Sequence, residues 1–211
     1  TPPSLRQENR TGLGRWSEED IVSFLRTGRS NTGSVFGSMT SAVLHGTQKL
    51  TDSDLHAIAH YLKSLPPADR TQTPWTYDPT ITDQLHKADL SSRGARIYVD
   101  RCAACHRTDG KGYPAVFPAL AGNPVMMQSD AMSLVHIVQN GASLPAMTAA
   151  PSSITMPAFS HKLTDQQIAD VVTFIRHAWG NNASPVSAED VRQFSKTMPP
   201  PDMADDAVSL N

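Results

Sequence analysis

The chain has 211 residues, of which 39% are hydrophobic and 18% charged, and a net charge of −2 at neutral pH. That length can bury one large core or two small ones. The charge leaves no basic surplus to neutralise phosphates, which excludes bulk nucleic-acid affinity, and no apolar run approaches the roughly 18 residues of a membrane-spanning helix.

Residues 1–15 are rich in Pro, Gly and Arg, lack periodicity, and read as loop. A helix then starts at Ser17, an N-cap followed by Glu18, Glu19 and Asp20 in the first turn, where the helix dipole favours anions. Ile21, Val22, Phe24 and Leu25 give it one apolar face, and Gly28 closes it. Residues 29–49, with Gly33, Gly37 and Gly46, are expected to be loop and contain Met39. A second helix is predicted from Leu50 to about Leu65, capped by Thr51 and stopped by Pro66-Pro67. The proline-rich stretch to residue 88 reads as an extended linker; Trp75 and Tyr77 within it are expected to pack on a neighbouring domain.

From Asp89 the pattern is helical again through Gly94, Ile97 and Tyr98. Residues 107–130 look irregular. A helix over about 131–140 ends at Gly141, and a loop with Pro145, Pro151 and Pro157 leads to a last strong helix over about 164–178, begun by Thr164 and Asp165. The tail from Asn181 is polar, with one short amphipathic turn expected around Val191 and Phe194 before Pro199-Pro200-Pro201. Strand signals are nearly absent, so the expected fold class is all-α.

The chain's two cysteines stand in Cys102-Ala103-Ala104-Cys105-His106. This spacing reads as covalent attachment of a c-type haem, with each thiol taken up by one vinyl group and His106 placed as proximal iron ligand. A structural zinc site would require a second ligand pair, and no further cysteine exists. A thioredoxin-like dithiol would require strand-rich flanks. No nucleophile–base constellation and no phosphate-cradling glycine loop is present.

Comparing the two halves exposes a repeat. Thr164-Asp165 stands 113 residues after Thr51-Asp52, Phe174-Ile175-Arg176 the same distance after Tyr61-Leu62-Lys63, and Gly141 after Gly28. Each copy is a helix, a loop containing a methionine (Met39, then Met156), and a second helix. CxxCH precedes only the second copy. The expectation is therefore that the sequence starts inside a haem domain whose attachment motif lies upstream; a degenerate first copy serving as a packing module is the alternative.

The sixth iron ligand is sought among the methionines. Met126, Met127 and Met132 read as packing and Met147 as a competitor. Met156, ahead of the last helix and the counterpart of Met39, is the expected ligand. A thioether opposite histidine raises the reduction potential and closes the iron to substrates, which suits electron transfer. His56 and His60, at i and i+4, could hold a metal but read as a solvated helix face.

Residues 89–180 resemble a class I cytochrome c domain: Gly94 and Tyr98 match its N-terminal helix, which crosses the C-terminal helix facing Val171, Phe174 or both, and Pro118-Ala119-Leu120 matches the element after the haem motif. The resemblance implies that Pro118 offers its carbonyl to His106. Over residues 10–182 the string Gly12-Leu13-Gly14-Arg15-Trp16-Ser17, then Phe36-Gly37-Ser38-Met39, then Leu50-Thr51-Asp52 resembles the triple-haem cytochrome c subunit of bacterial membrane-bound alcohol, aldehyde and gluconate dehydrogenases. That resemblance implies tandem domains. Residues 1–66 would be the C-terminal part of one cytochrome c domain without its CxxCH, 67–88 a linker, 89–180 a complete domain, and 181–211 a tail. One haem c is expected in this chain, on Cys102 and Cys105 with His106 and Met156 as axial ligands. Further haems are expected in the full-length protein, where Met39 would ligate a second iron if the upstream half is present. The resemblance further implies a non-catalytic electron-transfer subunit, peripheral on the periplasmic face of the inner membrane. It would take electrons from a quinoprotein or flavoprotein dehydrogenase subunit and pass them to ubiquinone or the respiratory chain. A stand-alone soluble carrier and a haem enzyme with an open iron are the rival readings.

Overall fold

In the computed structural model, residues 2–197 are described. The first half is built on α1 (Glu18–Thr27) and α3 (Asp52–Ser64), both started by capping boxes: the Ser17 hydroxyl accepts the Asp20 N–H while the Asp20 carboxylate accepts the Ser17 N–H, and Thr51 and Asp54 repeat the arrangement. Leu13, Trp16, Ile21, Val22, Leu25, Leu55 and Ala59 form the core between them. The Trp16 ring meets Phe24 edge-on at 5.1 Å.

Four segments depart from the sequence reading. Residues 29–49 are not all loop: α2 (Ser38–His45) carries Met39, and a 3-10 turn covers Thr47–Lys49. Gly37 and Gly46 bound this helix rather than interrupting a loop, which is why glycine content misled. The linker contains α4 (Thr80–His86), entered through Pro79, where a missing N–H costs nothing, and through the Asp78 carboxylate, which accepts the Thr80 N–H at 2.9 Å.

The second half runs through α5 (Arg93–Arg101), α6 (Ala103–His106) and α7 (Met132–Asn140). The loop expected after Gly141 instead holds a short antiparallel pair, β1 (Ala142–Leu144) and β2 (Ile154–Met156), with Ala142 opposite Met156. Then come α8 (Asp165–His177), again begun by a capping box at Thr164 and Gln167, and α9 (Ala188–Thr197). The tail's expected single turn is thus a full helix. Val191 is completely buried in it, and α9 packs against α7 and α8. The triple proline lies outside the described residues.

The repeat is visible in three dimensions: α1 packs on α3 as α7 packs on α8. Even one cation is repeated. Lys63 donates to the Trp16 carbonyl at 2.7 Å and Gln7 Oε1 at 2.7 Å. Its counterpart Arg176, 1% exposed, donates to the carbonyls of Met126, Gln128 and Ser184 at 3.2, 2.9 and 2.8 Å. The second unit has in addition α5, laid against α8. A Cβ on Gly94 would stand 2.7 Å from Phe174 Cβ and collide with the Asp170 carbonyl, so only glycine permits the approach. Tyr98 packs on Phe174 at 5.3 Å.

The halves share a third core. Val35 and Val43 from the first meet Leu144 and Met147 from the second. Around it Arg29 donates to the Ser152 carbonyl, and Arg15 donates to the Gly122 carbonyl while lying 4.7 Å over the Trp75 ring. Trp75 therefore packs at the junction, as its linker position suggested.

Candidate haem site

Cys102 ends α5, its N–H bonded to the Tyr98 carbonyl at 2.9 Å, and its own carbonyl accepts the N–H of Cys105 at 3.2 Å and of His106 at 2.9 Å. This single turn is what brings both sulfurs and the imidazole of a CxxCH string to one place. Both thiols are unpaired and half-buried. Burial, with lesser contributions from Cys105 and Asp100, pushes the Cys102 thiol up to about 12. It is therefore protonated at neutral pH, the state that adds across a vinyl group.

His106 is 9% exposed. Its Nδ1 lies 2.9 Å from the Pro118 carbonyl oxygen. A carbonyl only accepts, so Nδ1 holds the proton and Nε2 keeps a free lone pair. Burial lowers the imidazole pKa, against a smaller upward push from the Pro118 bond, and the ring stays neutral. Two unpaired thiols beside a neutral imidazole with its lone pair on Nε2 form a donor set that fits covalent haem. Among the described residues, no group of three or more His, Cys, Asp or Glu side chains is placed to hold a metal ion by itself.

The methionines separate by environment. Met147 is 3% exposed, in the core shared by the halves, and its backbone bridges Ala150. Met126 and Met127, each 6% exposed, sit on a 3-10 turn over Pro124–Met127. Met156 is half-buried on β2 against the second core, built from Tyr98, Val135, Ile168, Val172 and Trp179 among others, and Met39 is half-buried between the first and third cores. His56 and His60 face α1: His60 Nδ1 is 3.2 Å from Glu18 Oε1 and His56 Nε2 is 3.6 Å from Glu19 Oε1, a solvated helix face.

The hold on the loop after His106 is not legible in the sequence. Arg107 has φ +62° and ψ 161°, a conformation that costs a non-glycine residue about 1–3 kcal/mol. The next three carbonyls each accept an aromatic donor: Arg107 from the Tyr98 hydroxyl at 2.6 Å, Thr108 from Trp179 Nε1 at 3.1 Å, and Asp109 from the Tyr77 hydroxyl at 3.2 Å. The one signal available beforehand was the number of aromatics flanking the motif in a chain with few of them.

With this geometry in view, the comparisons agree with each other. The cytochrome c family profile matches residues 91–179. The chain is 50% identical over 198 residues to the gluconate 2-dehydrogenase cytochrome c subunit of Pantoea cypripedii, covering 93% of this chain and 45% of that protein. It is 50% identical over 200 residues to the alcohol dehydrogenase (quinone) cytochrome c subunit of Komagataeibacter europaeus, covering 94% and 43%. The chain thus spans less than half the length of these two relatives. It is also similar to cytochrome c-552 of Thermus thermophilus, 30% identical over 113 residues that make up 82% of that protein. A helical fold, a CxxCH turn with a buried, carbonyl-tethered histidine, and these likenesses lead to one conclusion: the chain belongs to the cytochrome c family, whose members carry covalently bound haem c.

Proposed function

We propose that this chain moves electrons through a haem c bound by Cys102 and Cys105, with His106 and Met156 as axial ligands. The observation that carries the proposal is the His106–Pro118 bond, which leaves Nε2 as the metal-facing nitrogen. The bound group supplies one-electron redox chemistry. The protein's part is to orient the imidazole, hold its proton at Nδ1, and keep water from the site with the second core. Met156 is favoured over Met147 because Met147 is occupied as a contact between the halves. Residues 89–180 form the haem domain, 67–88 the linker, 181–211 a tail, and residues 1–66 the C-terminal part of a second cytochrome c unit. Tyr61 supports that last assignment. It is 63% exposed, whereas its counterpart Phe174 is covered by α5, so α3 presents the face on which a further helix of a longer protein would lie. Met39 would then ligate a second iron.

The partner is a dehydrogenase catalytic subunit, and the acceptor ubiquinone or a downstream carrier. The relatives' designations as dehydrogenase cytochrome subunits support this, and with chemistry done by the partner this chain is not itself an enzyme. Attachment is peripheral, on the periplasmic side of the inner membrane; among the described residues no helix is long and apolar enough to cross a membrane. The test is a reduced-minus-oxidised spectrum of the purified protein and haem staining after denaturation. A c-type α-band and retained haem are expected, and Cys102→Ser with Cys105→Ser should abolish the retained haem. Absence of the band from the parent protein would refute the proposal. Co-purification of the full-length protein with a dehydrogenase tests the partner.

A further inference from the structure

His106 is immobilised through its neighbours, and the loop that does this is held by side chains from elsewhere in the chain as well as by its own backbone, where the Gly110 N–H meets the Arg107 carbonyl at 3.2 Å and the Gly112 N–H the His106 carbonyl at 3.1 Å. Arg107, directly after the histidine, has φ +62°, where a side chain is disfavoured. Further on, the Gly110 carbonyl accepts the N–H groups of Leu120 and Ala121 at 2.8 and 2.9 Å, which positions Pro118, whose carbonyl receives the His106 proton. Gly110 itself lies under Trp179: a Cβ there would be 2.5 Å from the indole Cδ2. Between these points, three consecutive carbonyls are taken by donors from three separated parts of the chain. Tyr98 comes from α5, Trp179 from the 3-10 turn Ala178–Gly180 that follows α8, and Tyr77 from the linker. Tyr77 is held in turn: its hydroxyl is 2.7 Å from Thr82 Oγ1 and Lys111 Nζ lies 4.4 Å over its ring.

We propose that Tyr77, Tyr98 and Trp179 are positioning residues for the haem histidine, clamping the Arg107–Asp109 carbonyls so that Pro118 stays in hydrogen-bonding register with His106 Nδ1. This rests on His106 being the haem ligand. A tight Nδ1–H···O=C bond makes the imidazole a stronger donor, and a stronger donor favours the oxidised iron. Loosening the clamp should therefore raise the reduction potential. The clamp also makes the linker, through Tyr77, part of the haem domain's redox setting.

The test uses the haem-loaded protein and the variants Tyr77→Phe, Tyr98→Phe and their combination. Each substitution keeps the ring and removes one hydroxyl. Two readouts are taken: the reduction potential, and the NMR exchange rate of the His106 Nδ1 proton. Loss of a hydrogen bond worth about 1 kcal/mol predicts exchange about fivefold faster for each hydroxyl removed, with a potential more positive than the parent's. Val191→Ala, buried in α9, serves as a control that lowers the melting temperature and should leave both readouts unmoved. Variants with the parent's potential and exchange rate, whatever their melting temperatures, would overturn the proposal. If the double variant does not load haem, Tyr77→Phe alone decides by the same readouts. A parent protein without a c-type spectrum would refute the haem assignment instead, so the two failures are distinct.

Discussion

A methionine is an adaptable core filler and also a soft metal ligand, so what each methionine here can do is set by its surroundings. Met147 is enclosed by Val35, Val43 and Leu144. Met147→Ala should leave a cavity and lower stability by about 2–5 kcal/mol in urea unfolding, without changing the spin state of the iron. Met156→Ala should do the reverse. Half-buried on β2, it should cost less stability but remove the thioether, seen as loss of the low-spin spectrum and a lower reduction potential. A low-spin, unshifted Met156→Ala protein would remove Met156 from the ligand set.

Helix packing in the second unit turns on one close approach. Because the Gly94 position has Phe174 Cβ and the Asp170 carbonyl directly opposite, Gly94→Ala must push α5 away from α8. The expected cost is about 1–3 kcal/mol, measured as a lower denaturation midpoint. The strain acts next to the α5 end that leads into Cys102, so reduced haem incorporation should accompany it. α9 extends the same core. Deleting two methyl groups at Val191, which has no exposed surface, should cost about 1–3 kcal/mol. A null effect there would mean that the helix is not part of the cooperative unit.

Across the molecule, the first half is tied to the second by the shared core and to the linker by polar contacts. Glu8, 4% exposed, accepts from the Ser4 hydroxyl at 2.7 Å and from the N–H groups of Ala68 at 2.7 Å and Asp69 at 3.3 Å, joining the N-terminal loop to the start of the linker. Burial alone would push its pKa up; these donors outweigh it, and the net shift is downward from 4.5. A carboxyl with a folded pKa below its unfolded one stabilises fully above the unfolded value, and the contribution fades as pH falls through the folded value. Glu8→Gln should therefore lose about 1–3 kcal/mol at pH 7. The difference from the parent should shrink as the pH is taken well below 4.5. Urea midpoints for both proteins across that range provide the check.

Features that act over a few residues were readable in the chain. The boxes at Ser17, Thr51 and Thr164 mark helix starts because a side chain caps an N–H only three residues away. The CxxCH turn is legible because a thioether pair and an adjacent ligand need that spacing, and the duplicated helices because equal sequence intervals preserve equal apolar faces. What stayed hidden depends on partners far along the chain. Gly37 and Gly46 read as loop until α2 is seen with Val43 buried in the core that Leu144 and Met147 share with it. The strands β1 and β2 are too short to show alternation, and α9 has one fully buried residue, covered by helices that lie earlier in the chain. The hold on the haem histidine is the clearest case. Trp179 reaches the Thr108 carbonyl across 71 residues, and no local pattern announces a donor whose acceptor is placed by the packing of α5 on α8.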